Sequence, residues 1–590
     1  MSETQPKARD EAPAAKLREN DPDAAIMELR DKLKARINMM RQVRLSWWSH
    51  WAELAEFILP RRFRWLIQRN SWNTWNRGSP INQRILNSTA TLALRNCGSG
   101  LMAGTTSPAR PWFRMTVPDP DIAEDIEVQQ WCEDVTKRMM RVMAGSNYYT
   151  AKAMQYVDLP LFGTAPMIIY EDDEDIIRCF NPVVGEYFCA VNKNGRVDTL
   201  AREFTYTVLQ LVQEFGKDNV SAPVRLAYEA GGPRLDEERI VNHIIEPNPN
   251  YSPAQKGVDK YGLPRHFRYR ECYWEQDNGG KPFLKIKGFH ESPISCPRWD
   301  IQGNDPYGRS PGMDALGDVK QLQLEELRKM QAIDKQVNPP MVADVSMKNE
   351  PASLLPGAVN YVSNMQGAGF KPAYMVAPQI AEMKDDIAKV EQRIKDCFFN
   401  DLFLMISQLE TVRTATEIDA RREEKLIMLG PVLERNEHEG LQPDVTRIFH
   451  IMNRRRLFPK APDAMAGMPL KIEYIGLLAD LQRASATTAI ERLWQFAGNL
   501  GAARPQVLDN LDEDETIRIY AEHLRAPPKL LSSKQRRQAL RAAREKQAQE
   551  QQQMGQAQAA VQGAEVLSKT DVGGGQNALS MMLNSGGVPT

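Results

Sequence analysis

"NDPYGRSPGMDALGDVKQLQLEELRKMQAIDKQVNPP", from Asn304 to Pro340, opens with a Pro/Gly-rich turn and becomes one long, charged helix pattern. Between Pro311 and Val337, the residues Leu316, Val319, Leu322, Met330, Ile333 and Val337 fall on one stripe, interrupted by Glu326. Asp314, Asp318, Lys329 and Lys335 lie off it. A helix of about 25 residues reaches on the order of 38 Å at 1.5 Å per residue. Pro339 and Pro340 end it. A Pro/Gly-punctuated, weakly β-like insert follows to about Pro378, and a second charged helix pattern runs from Ile380 to about Ser407. The chain thus leaves on one rod, builds a small head and returns on another.

Upstream, a helical period runs from Ala24 to Leu59 through Leu29, Leu33, Ile37, Trp47, Trp51 and Leu54, and Pro60 stops it. The cluster "SWWSHW" reads as a packed aromatic face. Further helix patterns cover Ile81 to Thr105 and Ile126 to Met143. The period then changes to short alternating runs. Asn194-Gly195 marks one hairpin within Ile176–Thr207, and Asp277 to Gly280 marks another within Phe267–His290. Two hairpins predict a small β-sandwich or barrel-like module between helical layers. Downstream, Thr414 and Glu417 are spaced as a capping box, helices continue through Arg456, and "LKIEYIG" reads as a short strand. The expected class is α+β, mainly α.

The sequence carries little of the chemistry a catalyst needs. There is no G-x-x-x-x-G-K-[ST] loop, no H-E-x-x-H and no G-x-S-x-G elbow. "GSGLMAG" (Gly98–Gly104) follows a helix pattern and reads as a packing glycine cluster. "NEHEG" around His438 reads as a solvated helix end, and "EDDED" (Glu171–Asp175) as an exposed acidic turn between strands. No catalytic, metal or cofactor-binding residues are expected. The basic stretch Lys534 to Lys546 reads as a nucleic-acid contact, a solvated helix face or an intersubunit contact.

The 590 residues carry 75 Lys+Arg against 76 Asp+Glu, a net charge of -1. A protein that wraps DNA tightly shows a basic excess, so DNA contact here is expected to be local or weak. Seven scattered cysteines without C-x-x-C spacing point to a reducing compartment. The charged start has no signal-peptide core, and no apolar run is long enough to span a bilayer.

Five segments, in order, resemble the portal (head-to-tail connector) proteins of short-tailed, podovirus-like phages. They are "WAELAEFILPRR" (Trp51–Arg62), "SGLMAGTTSPARPWFRM" (Ser99–Met115), "DLPLFGTAPMIIYED" (Asp158–Asp172), "CPRWDIQGNDPYGRSPGMDALGDVKQLQ" (Cys296–Gln323) and "RTATEIDARREEK" (Arg413–Lys425). The resemblance implies a dodecameric ring at one capsid vertex with a central DNA channel. It divides the chain into a disordered arm (1–23), a wing (24–310), stem helices (311–337 and 379–407), a clip (338–378), a tunnel loop (408–413), wing helices (414–476), a crown or barrel (477–550) and a flexible tail (551–590).

It further implies that Gln408, Leu409, Glu410, Thr411, Val412 and Arg413 narrow the channel, with Glu410 and Arg413 nearest DNA or a neighbouring loop. Leu316, Val319, Leu322, Met330 and Ile333 would pack the stem. Lys534, Arg536, Arg537, Arg541 and Arg544 would lie near packaged DNA. Implied partners are the terminase large subunit, tail adaptor or tail tube proteins, major capsid and scaffolding proteins, and internal core or ejection proteins. The location implied is the virion, with host cytoplasm during assembly. The rival readings are another ring-forming head-tail adaptor and a packaging enzyme.

Overall fold

The computed structural model describes residues 22–62, 84–342 save 124, 256 and 277–281, residue 348, 371–372, 379–408, 428–475 save 466, scattered positions between 490 and 520, and 534–569. The chain divides into two compact units, Met1–Gln482 and Arg483–Thr590.

In the first unit, α1 (Pro22–Phe57) buries Leu29, Leu33, Ile37 and Met40 at helical spacing against a sheet. Farther along, Trp51 and Leu54 join a larger cluster. Trp51 is fully buried within the one chain: its Nε1 donates to Phe162 O at 3.2 Å and its ring meets Tyr307 edge-on at 5.1 Å. The next helix, α2 (Thr89–Thr105), carries the glycine cluster. It is followed by β1 (Phe113–Thr116), α3 (Ile126–Gly145) and α4 (Tyr148–Phe162).

Strands β2 (Met167–Asp172) and β3 (Ile176–Phe180) form an antiparallel hairpin. Five strands then make one antiparallel sheet in sequence order: β4 (Tyr187–Val191), β5 (Val197–Thr207), β6 (Glu238–Pro247), β7 (Tyr269–Glu275) and β8 (Lys285–Phe289). Gly195, at φ +74°, makes the β4–β5 turn, where a left-handed backbone suits glycine.

Between β5 and β6 lie α5 (Val208–Phe215) and α6 (Ala222–Ala230). Thr207 and Gln210 close a capping box at the start of α5. Successive strand residues face opposite sides. Accordingly, Ala201, Ile244, Cys272 and Trp274 pack under α1, whereas Phe204, Val241, Tyr273 and Leu284 pack under α5 and α6. The module expected as a sandwich or barrel is therefore an open sheet with helices on both faces. Both hairpins belong to it, and the covering layers are helical.

A short β9 (Ile294–Ser295) completes a three-stranded sheet with β2 and β3. The long helix α7 spans Pro311–Val337. Of the insert, β10 (Met341–Val342) pairs antiparallel with β11 (Lys371–Pro372). The returning rod is shorter than the pattern predicts: α8 (Ile380–Cys397) stops, and α9 (Asn400–Gln408) follows. Phe399 sits between them at φ +55°, off the helical region. Phe398 is fully buried and Phe399 packs on Trp299, so side-chain burial fixes the break.

Residues 428–436 are helical and pass through a π-helical turn, Glu437–Leu441, into α10 (Gln442–Arg454). Finally β12 (Lys471–Tyr474) pairs with β1. In the second unit, α11 spans Lys534–Lys569, past residue 550 where a flexible tail is expected. Its Gln, Ala, Glu and Lys content favours helix throughout.

Candidate functional site

The structure gathers its most specific contacts where α7 and α8 are rooted in the first unit. The start of α7 is fixed by a cap and by two glycines. Ser310 Oγ accepts from Met313 N at 3.2 Å and donates to Leu161 O at 2.7 Å. A Cβ on Gly163 would come within 2.1 Å of Gly308 O, so the backbones touch directly. Gly308 N also donates to Thr164 Oγ1 at 2.8 Å. Next to this contact, Arg298 is nearly fully buried. It pairs with Glu439 of the π-helical turn, and it donates to Gly195 O and to Asp305 O. Cys296 N donates to Glu439 O at 3.1 Å, and Ser295 Oγ to Gly440 O at 3.0 Å. A π-turn adds a residue to a helix and often marks a functional position. Here it presents Glu439 and two carbonyls to β9 and the residues after it. The "NEHEG" segment is thus an anchor through Glu439, while His438 remains exposed.

The first half of α7 is buried on one face and the second half is more exposed. Leu316, Val319 and Leu322 are buried with Ile387, Val390 and Ile394 of α8. Gln323 is buried and answers the backbone of Leu86 and Asn87 with both of its amide atoms. Asn87 Nδ2 in turn reaches Glu391 Oε1 at 2.7 Å and Glu326 Oε1 at 3.3 Å. Outside this knot, Arg393 holds Asp318 at 2.9 Å and Lys320 holds Glu53 at 2.7 Å. The buried face continues at helical steps through Leu327, Met330, Ile333 and Val337. All four are exposed, Met330 to 54% and Val337 to 71%. Of the five residues expected to pack the stem, Leu316, Val319 and Leu322 are thus buried, whereas Met330 and Ile333 are exposed to 54% and 39%.

Two other polar centres lie inside the first unit. Lys152 and Asp444 form a fully buried ion pair at 2.7 Å, joined by Tyr148 Oη, which donates to Asp444 at 3.0 Å. Burial and the Asp444 charge push the Tyr148 phenol up. On the sheet, His243 Nδ1 accepts from Arg202 Nε at 2.8 Å, so its Nε2 carries the proton and donates to Glu271 at 2.8 Å. Burial presses the His243 imidazole down to about 4. Both networks are sealed from solvent and serve the packing.

The acidic turn is an arginine-paired loop. Asp172 accepts from the backbone of Asp175 and Glu174 and from Arg178, which together hold its carboxyl below the usual range. Arg454 pairs with Glu171, and Arg455 with Asp173. Among the described residues no group of three His, Cys, Asp or Glu could hold a metal ion, and no helix is long and apolar enough to cross a membrane. Gln408 ends α9, while Leu409, Glu410, Thr411, Val412 and Arg413 lie outside the described residues. Lys534, Arg536, Arg537, Arg541 and Arg544 all lie on α11 in the second unit. Sequence reasoning missed Arg298, Glu439 and Gln323, because a polar residue with a distant partner leaves no periodic signal.

A family model described as "Bacteriophage head to tail connecting protein" matches residues 30–531. The portal protein of Salmonella phage epsilon15 is 41% identical over 563 residues, 95% of this chain and 99% of that protein. A probable portal protein of Bordetella phage BPP-1 is 40% identical over 507 residues, 85% of this chain and 88% of that one. Among solved structures, a chain from the neck of an empty GTA particle covers 74% of this chain, and 90% of its own length is matched, at 11% identity and a TM-score of 0.33.

Proposed function

The chain belongs to the bacteriophage head-to-tail connecting protein family, and on that premise we propose that α7 and α8 stand in the wall of a channel for the viral genome. Its function is that of a portal: a ring at the capsid vertex that joins head to tail. The observation that carries this is the 41% identity to a portal protein along 99% of that protein's length.

In the finer reading, twelve copies form the ring, and double-stranded DNA passes through it inward during packaging and outward during ejection. The head between β10 and β11 meets the terminase large subunit first and tail adaptor or tail tube proteins afterwards. Gln408 to Arg413 narrow the channel. The basic side of α11 lies towards packaged DNA and internal core or ejection proteins, and the wing meets major capsid and scaffolding proteins. Assembly takes place in host cytoplasm. The net charge of -1 supports passage: each phosphate neutralised by a cation adds salt-dependent affinity, and a ring of such sites would hold DNA fast. The chain acts as a passive conduit, and the packaging ATPase is a separate protein.

The test is complementation. Cells infected by phage unable to make this chain are expected to accumulate heads without DNA, and supplying the chain is expected to restore filled heads. Filled, infectious particles in its absence would overturn the proposal.

A further inference from the structure

We propose that Cys189 and Cys296 are a latent dithiol that closes to an intrachain disulfide when the particle meets a hydroperoxide. The two sulfurs lie 4.0 Å apart, in van der Waals contact, across the junction between β4 and the chain leaving β9. A disulfide needs about 2.05 Å. Closure therefore asks each sulfur to move about 1 Å, a small rotation about χ1.

The two backbones are held in place while this happens. Cys189 N donates to Tyr307 Oη at 3.1 Å, and Cys296 N donates to Glu439 O at 3.1 Å. The surroundings are apolar: Tyr187, Leu200, Ile294, Trp299 and Tyr307 share the cluster. Both thiols are buried, which slows their reaction and keeps large reagents out. Hydrogen peroxide is small enough to enter through local opening. One thiolate attacks the O–O bond, giving a sulfenic acid and releasing hydroxide, which takes up a proton as water. The second thiol then attacks that sulfur and the sulfenic oxygen leaves as a second water. Two thiols and one peroxide yield one disulfide and two waters.

The consequence is a staple within the base of the stem. It ties the five-stranded sheet to the segment after β9 that carries Arg298 and makes the π-turn contacts. The residues joined are 107 apart in sequence, so the link restricts the unfolded chain over a long loop. In the cell the pair stays reduced. In the released particle, a setting that rests on the portal reading, oxidation sets it.

The test needs only the purified full chain in native buffer, so it is independent of that reading. The chain is treated with hydrogen peroxide far beyond the full consumption of Cys397, the half-buried thiol, to an endpoint at which the free-thiol content no longer changes. Remaining thiols are alkylated and the digest is analysed without reduction. The expected result is a Cys189–Cys296 linked peptide, formed at least tenfold more slowly than Cys397 reacts. The melting temperature should rise by several degrees, fall back with dithiothreitol, and stay unmoved by peroxide in Cys189→Ala and in Cys296→Ser. Recovery of Cys189 and Cys296 as free thiols at that dose would overturn the proposal. So would their pairing with other cysteines. The wild-type mapping and its reversal by reductant stand even if both variants fold poorly.

Discussion

The Gln323 side chain holds Asn87 from both directions: its Oε1 accepts from Asn87 N at 2.9 Å and its Nε2 donates to Asn87 O at 2.8 Å. The same Oε1 accepts from Leu86 N at 2.6 Å. A side-chain amide thus replaces a backbone partner for the segment that crosses α7. Removing it leaves partly buried donors without an acceptor, which costs about 1–3 kcal/mol. Gln323→Ala is expected to lower the melting temperature by several degrees, and Gln323→Glu to do the same, because it faces Glu326 and Glu391 around Asn87. Thermal unfolding followed by circular dichroism checks both.

Leu322 and Met330 differ in what covers them. Leu322 is fully buried, whereas Met330 is 54% exposed. Leu322→Asp is expected to unfold or strongly destabilise the protomer, since an unpaired charge in the core is expensive. Met330→Asp is expected to leave the protomer's helix content intact and to block ring assembly. Circular dichroism and light scattering after size exclusion separate the two outcomes. Intact rings from Met330→Asp would show that the bare face of α7 looks into solvent.

Gly100 has no room for a methyl group: its Cβ would sit 2.2 Å from the Phe403 ring. Gly100→Ala is expected to cost about 1–3 kcal/mol through overpacking. The double variant Gly100→Ala with Phe403→Leu is expected to recover part of that loss. A cycle of denaturant midpoints for the two singles and the double measures the coupling.

His243 predicts a pH dependence with a definite sign. Its pKa falls from about 6.5 unfolded to about 4 folded, chiefly through burial, with the Arg202 charge adding to it and the Glu271 hydrogen bond opposing. The unfolded chain then binds more protons between those values. Stability contributed at neutral pH is lost as pH drops from about 6.5 to about 4, on the order of 3 kcal/mol in all. His243→Gln can still accept from Arg202 and donate to Glu271, so it is expected to flatten the slope in that window. Urea midpoints from pH 4 to pH 7, compared with the unaltered chain, test it.

The sequence carries some of these features openly and hides others. The bounds of α7 are legible because Ser310, Pro311 and the proline pair punctuate a long period. Both hairpins are legible from their turns. The break after Cys397 is not, because no Gly or Pro marks it within the run from Ile380 to Ser407, and a buried Phe398 imposes the left-handed turn at Phe399. Strand β6 and helices α5 and α6 are missed for a related reason. "ERIVNHIIEP" puts Asn242, His243 and Glu246 among apolar residues; all three are buried, and His243 and Glu246 meet cross-strand partners, Arg202, Glu271 and Arg270, that no local pattern announces. The anchor between Arg298 and Glu439 joins residues 141 apart. Charge and spacing along the chain give such a pair no mark, and only the folded backbone brings it together.

The claim that α7 and α8 stand side by side around a hole is tested most directly by electron microscopy of the purified full chain. Annular particles with a central channel, in which the face bearing Leu327, Met330, Ile333 and Val337 meets the neighbouring copy, are the predicted result. Single-copy globules under conditions that support capsid assembly, or rings in which that face is bare to solvent, would contradict it.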